Sequence, residues 1–239
     1  MSTVQRATVI ARTEWRLIAR NKTVLLSATL FPLALTALSL IQDPQGPTAA
    51  AGMTAIMIAL FSSMTVYMTV TLTAVSRRQD LYLKRLRSGE SSDVAIFAGV
   101  TIPPALLCVA QLVVVAVALA IIGFETPAEP WWILVAAIGS ILSGLAMGLG
   151  TASVTTNASA AQMTTVPYFL LIIGSVIATP LVEHRLMDLT PGGAVVTFAR
   201  LAFEVPTPGS ALTAALGLVL WTVIGIELAR RFFRWEPRA

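Results

Sequence analysis

The sequence is poor in the residues that most protein chemistry needs. It has one cysteine, Cys108, and one histidine, His184, which excludes a disulfide framework within one chain and a zinc site of the usual His/Cys kind. There is no GxSxG nucleophile elbow, no HExxH pair and no GxxxxGK[ST] phosphate loop, so the chain has no Walker motif with which to bind ATP. Charged residues make up 12% of the chain, where soluble domains carry about 25%. Carboxylates are missing from the centres of the apolar runs, which disfavours a proton-driven carrier. The nearest, Glu227, is placed to pair with Arg230 or Arg231 at i+3 and i+4. These absences speak against an enzyme, and no cofactor is expected on this chain.

What the sequence does have is apolar length. Of its 239 residues 56% are hydrophobic, the mean hydropathy is +0.81, and several uncharged runs reach the roughly 18–20 residues that cross a bilayer. The reading is an integral membrane protein: a single all-α, polytopic domain over 1–239 with six spans, at about 23–41, 49–75, 104–123, 131–154, 163–182 and 211–228. Pro103-Pro104 predicts a break that separates a short piece from the third span. Trp131 and Trp132 open the fourth span at an interface, where indoles prefer to sit. TTNASAAQ, 155–162, reads as a polar turn. Gly144 and Gly148 form a GxxxG whose expected role is helix packing.

Residues 1–22 read as an interfacial helix. At ~100° per residue, Val4, Ala7, Ile10, Ala11, Trp15, Leu17 and Ile18 share one arc and Arg6, Arg12, Arg16 and Arg20 the opposite one, with Glu14 and Val9 as misfits. An arginine face opposite an apolar one suits an anionic leaflet, so membrane lipids are expected partners. Nucleic acid is not, because the basic residues sit at the ends of apolar runs as topology signals.

The stretch 76–93, SRRQDLYLKRLRSGESSD, is a charged island between apolar segments. Its LYLKRLR core has the length for a turn or two of helix with Leu83 and Leu86 on one side. Apolar residues exposed there would invite a partner protein, and the candidate docking residues are Tyr82, Leu83, Lys84, Arg85, Leu86 and Arg87. Six spans put this stretch, 155–162 and both termini on one side, together with 14 of the 16 Lys and Arg residues. The positive-inside rule makes that side cytoplasmic. The opposite side holds Arg185 and Arg200 in a long connection, 183–209, whose apolar run 194–203 predicts a half-inserted helical hairpin.

In the second span Met53, Met57, Met64 and Met68 fall on one wheel sector, with Thr54, Ser62, Thr65, Thr69 and Thr73 beside them. Adaptable thioethers next to hydroxyls would suit a path for bulky amphipathic molecules, with Met57, Met64, Met68, Ser62, Thr65 and Thr69 as its candidate lining. Ordinary helix packing explains the same pattern, and both readings stay open.

Taken in order, these features resemble the ABC-2 type permeases, the membrane subunits of bacterial ABC exporters. ARTEWRLIARNKTVLL runs from an amphipathic helix into the first span. RRQDLYLKRLRSGESSDVAIFAG is similar to the family's first cytoplasmic loop, with a basic LKRLR run. QMTTVPYFLLIIGSVIATPL leads into an external connection in which Pro191 precedes Arg200 by nine residues. The resemblance implies a coupling helix within 76–90 that docks on a separate ATPase subunit, and a second permease chain, identical or homologous. It implies ATP and Mg bound by the ATPase partner, re-entrant external helices around Pro191 and Arg200, and export of a drug-like or lipid-like amphipathic substrate across the bacterial cytoplasmic membrane. An ATPase-independent channel or carrier is the alternative.

Overall fold

The computed structural model describes residues 3–20, 22, 30, 33–34, 37, 41, 46–88 and 92–235. Every regular element among them is helical. Five helices are long and apolar enough to cross a membrane: α2 (Gly46–Gln79), α4 (Asp93–Ile121), α5 (Trp131–Val154), α6 (Ala158–Val182) and α8 (Ala211–Phe232). Three shorter ones accompany them, α1 (Thr3–Arg20), α3 (Tyr82–Ser88) and α7 (Pro191–Ala202). The expected first span, 23–41, lies almost wholly outside the described residues.

Helix α2 forms the centre of the bundle. Its most apolar stretch is 78% enclosed, against 22% for α4 and for α8. It is not α-helical throughout, because Phe61–Met68 is π-helical. Each residue of a π-turn advances by less than the ~100° of an α-helix, so the phase of the side chains slips across that segment. The four methionines therefore do not keep one face. Met53 and Met57 pack with Phe61, Cys108 and Ile141, whereas Met68 packs against the cluster that holds Tyr67 and Tyr168.

Helix α5 is held between α2 and α8 by small residues on both flanks. A Cβ on Gly148 would stand 2.9 Å from Val70 Cβ and 3.0 Å from the Tyr67 carbonyl oxygen. One on Gly225 of α8 would strike the Ala146–Met147 backbone. Backbones that approach this closely gain dispersion contacts in lipid, where the hydrophobic effect cannot drive association. Gly225→Leu should cost about 1–3 kcal/mol by overpacking. Gly174→Leu, at a site with open space around the glycine, should leave the thermal midpoint of the purified chain unchanged.

The expected break at Pro103-Pro104 is absent: α4 runs unbroken from Asp93 to Ile121, with both prolines inside it and buried. The two rings remove the donors toward the carbonyls of Gly99 and Val100. At that turn α1 packs so closely that a Cβ on Gly99 would collide with Ile10. Neighbouring helices of this kind are what lets prolines stay inside membrane helices. The polar turn expected at 155–162 also shortens, since α6 starts at Ala158 with Asn157 Oδ1 accepting from Ala160 N at 2.8 Å.

After α6 the chain folds back into the bundle. Glu183 takes a left-handed conformation (φ 47), and a 3-10 turn, Arg185–Leu189, comes next. Asp188 accepts from Ser210 N at 3.0 Å, just before α8, while Trp221, ten residues into α8, donates through Nε1 to the Leu189 carbonyl at 2.9 Å. The two donors stand eleven residues apart on α8 yet meet adjacent residues of the turn, because the Trp221 side chain reaches back along the helix. Helix α7 then climbs back until the Ala202 carbonyl accepts from Glu129 N, two residues before α5. Every residue from Pro191 to Arg200 is buried. A Cβ on Gly192 would overlap the Ile172 carbonyl, so only glycine lets α7 enter at this depth.

Candidate functional site: the junction at residues 77–88

Three consecutive residues tie the end of α2 to three other helices. Arg77 reaches α1, donating from Nε and Nη2 to the Glu14 carboxylate, each at 3.0 Å. Arg78 is fully buried and donates to the carbonyls of Ala152, at 3.0 Å, and Thr155 at the end of α5. The last carbonyls of a helix have no partner within it, and here a guanidinium supplies one. Gln79 Oε1 accepts from Ala158 N at the start of α6, at 2.9 Å.

The chain then turns sharply. Asp80 N donates to Ser76 O and Leu81 N to Arg78 O, and Leu81 is left-handed at φ 57, a conformation that costs a branched residue about 1–2 kcal/mol. Arg85 Nη2 closes the turn by donating to the Asp80 carbonyl at 2.6 Å. From this turn starts α3, the seven-residue helix expected from LYLKRLR.

The apolar side of α3 is not free for a partner. Leu83 is 2% exposed and packs with Ile10 of α1 and with Ile96 and Val100 of α4; Tyr82, Leu86, Phe233 and Trp235 close around it. The expectation that Leu83 and Leu86 form an exposed docking face is therefore corrected: they fasten α3 to its own chain. Tyr82 lies beneath Arg77, whose guanidinium carbon stands 5.7 Å from the ring centroid. Burial, and then the Glu14 charge, push the Tyr82 hydroxyl up from its ordinary value against the pull of Arg77, so the ring stays neutral. Arg85 and Ser88 are exposed on the outer side. The side chains of Lys84 and Arg87 lie outside the described residues.

Glu14 sits in the middle of the apolar arc of α1 and is 0% exposed. Ala7 and Ile10 bury the same face, while Trp15 and Leu17 remain 44% and 38% exposed. The helix therefore packs the middle of its apolar arc on α4 and leaves Trp15 and Leu17, at the two edges of that arc, outward. At the end of α8, Glu227 pairs with Arg230 at 3.3 Å and Arg231 at 3.0 Å, as its spacing predicts.

The candidate path residues of α2 do not share one environment. Ser62 and Thr69 donate to carbonyls of their own helix, Ala59 at 3.2 Å and Met64 at 3.3 Å. Thr65 reaches across to Gln111 Oε1 of α4 at 2.7 Å. Met57 is buried, and Met64 and Met68 are half-buried. Pro191 opens α7 and Arg200 lies near its end, both buried. Between the 3-10 turn, α7 and α8, the 2%-exposed Asp188 accepts from Thr197 Oγ1 at 2.6 Å, from Ser210 N and from Thr213 Oγ1. Its only sequence signal is a carboxylate in the half-apolar stretch before Pro191. Among the described residues no three His, Cys, Asp or Glu side chains come together to hold a metal.

No protein-family model matches the chain, and no curated protein matches it.

Proposed function

We propose that the chain is the permease subunit of an ATP-driven exporter, energised by a separate ATPase subunit that docks on α3. One observation carries this reading. A short charged helix, α3, stands between two long apolar helices and is joined at one junction to α1, α2 and α4, while its neighbours Arg78 and Gln79 grip α5 and α6. A push on α3 would be passed to most of the bundle at once. A loop that served only to hold topology would need none of these ties. The order of the sequence features, similar to that of ABC-2 type permeases, supplies the ATPase and the outward direction.

In this reading the bundle has six spans, the first at 23–41, with both termini and α3 on the cytoplasmic side of a bacterial membrane. The 3-10 turn and α7 are a re-entrant element entering from the opposite face, since 12 residues make ~18 Å of helix, too short to cross. ATP and Mg belong to the ATPase, and a second permease chain completes the transporter. Closure of the ATPase pair presses α3 against its seat. Arg77 turns that motion onto α1 and Arg78 onto α5, and the irregular π-helical turn of α2, beside Thr65 and Gln111, is where the outer half of α2 can shift relative to the inner half. The cargo is an amphipathic molecule that passes along α2.

The test is co-purification in mild detergent. Reversing the charges of Lys84, Arg85 and Arg87 together should lower recovery of a bound ATPase at least ~10-fold, because electrostatic complementarity governs partner choice, and should leave membrane insertion intact. An ATPase that stays bound and coupled to export after the reversal would remove α3 as the docking element.

A further inference from the structure

Two arginines are buried, and the chain treats them differently. Arg78 is enclosed and donates to carbonyls at the end of α5. Arg200 is 8% exposed, yet its guanidinium makes no hydrogen bond, ion pair or ring contact with the described residues. It is not a helix cap, because the carbonyls around it already have donors. Phe203 N serves Ala199 and Arg200, Val205 N serves Arg200, Glu204 N serves Leu201, and Glu129 N serves Ala202.

Nor does any carboxylate among the described residues come within ion-pair distance, the buried Asp188 being bound to Thr197, Ser210 and Thr213. Glu204 is exposed, and Glu129 Oε2 is taken by Trp132 Nε1 at 2.6 Å. Neither lies within ion-pair distance of Arg200. A mostly enclosed arginine without a partner is costly to hold in place. None of its nitrogens is sealed from the surface, so a small anion can meet them there.

Two residues before Arg200, Phe198 stacks on Trp132 with ring centroids 5.5 Å apart. Trp131 beside it is 48% exposed. Indoles at the start of an apolar helix mark headgroup depth, and at that depth the abundant anion is phosphate. A planar guanidinium takes phosphate through two parallel hydrogen bonds. We propose that Arg200 anchors an oxyanion site at the α5-start end of the bundle, filled by a phosphate group. The proposal needs only the membrane setting of the helices and is independent of any ATPase.

The full chain in maltoside micelles, which carry no phosphate, separates the two sources. Phosphatidylglycerol and inorganic phosphate are titrated separately, with diacylglycerol as the phosphate-free lipid. If the phosphate is a lipid's, phosphatidylglycerol raises the thermal midpoint by ~4 °C and the other two do not. If it is a free ion, inorganic phosphate gives the rise. In either case Arg200→Gln weakens the response at least ~10-fold, Arg200→Lys keeps part of it, and Arg185→Gln, at an exposed position, keeps all of it. The proposal is overturned if the unsubstituted chain responds to neither phosphate source, or if Arg200→Gln responds as fully as the unsubstituted chain. Should Arg200→Gln fail to fold, native mass spectrometry of the unsubstituted chain decides, and equal retention of phosphatidylglycerol and diacylglycerol together with no retained inorganic phosphate overturns it.

Discussion

Replacing Arg77 with alanine is expected to destabilise the folded chain by about 3 kcal/mol, the scale set by an ionised group left buried without its partner. The Glu14 side chain is 1% exposed and that of Arg77 22%, so truncating the arginine leaves the carboxylate enclosed between α1 and α4. Glu14→Gln should cost less, about 1 kcal/mol, since the arginine that remains reaches water. Exchanging the two charges, Glu14→Arg with Arg77→Glu, should recover part of the loss in a double-mutant cycle. Denaturant unfolding in mixed micelles measures all four chains. If Arg77→Ala matches the exposed control Arg85→Ala within ~0.5 kcal/mol, the pair does not hold the junction. In the proposed exporter the same substitution would weaken the coupling of ATP turnover to transport, because the end of α2 would lose its tie to α1.

The sequence carries half of that pair in plain view. Glu14 is a carboxylate inside an apolar arc, and a charge in that position needs a partner. Its partner is 63 residues away, and no local periodicity connects the two. Arg77 and Arg78 are adjacent in a basic run and look alike on paper, yet one faces α1 and the other α5. Neighbours on a helix point ~100° apart, so a run of like charges can serve several partners once tertiary packing sets the phase. Leu83 is the reverse case: an apolar residue among charges looks like a docking face until α1 and the Phe233–Trp235 tail cover it.

Apolar runs were easier to read than their interruptions. Length and hydropathy locate α2, α4, α5, α6 and α8, because crossing a bilayer requires continuous apolar helix. A proline pair is an ambiguous signal by comparison, since it breaks a lone helix and is tolerated where α1 packs against the same turn. The π-helical turn at Phe61–Met68 has no composition of its own and undoes a wheel diagram drawn at constant pitch. The stretch 183–209 stands out in the sequence as apolar residues mixed with charges, but the residue that fixes its geometry does not.

That residue is Asp188, and removing it is expected to have the other large effect. Its carboxylate, 2% exposed, gathers donors from three places: Thr197 on α7, and Ser210 N and the Thr213 hydroxyl at the start of α8. Ser210 and Thr213 already form a capping box with each other, so Asp188 binds the cap of one helix to the flank of another. Hydrogen bonds to a charged group contribute about 1.5–3 kcal/mol each and do not add fully. Asp188→Ala should therefore cost about 3–5 kcal/mol. Asp188→Asn, which keeps the shape but presents an amide N–H to hydroxyl and backbone donors, should cost about 1–2 kcal/mol. Glu183→Ala, one turn away and exposed, should cost almost nothing. Hydrogen exchange locates the effect: Asp188→Ala should deprotect 185–213 while α2 and α5 keep their protection, because the carboxylate holds the hairpin against α8 and touches neither. Uniform loss of protection, or none, would mean that α7 is held by its buried apolar faces alone.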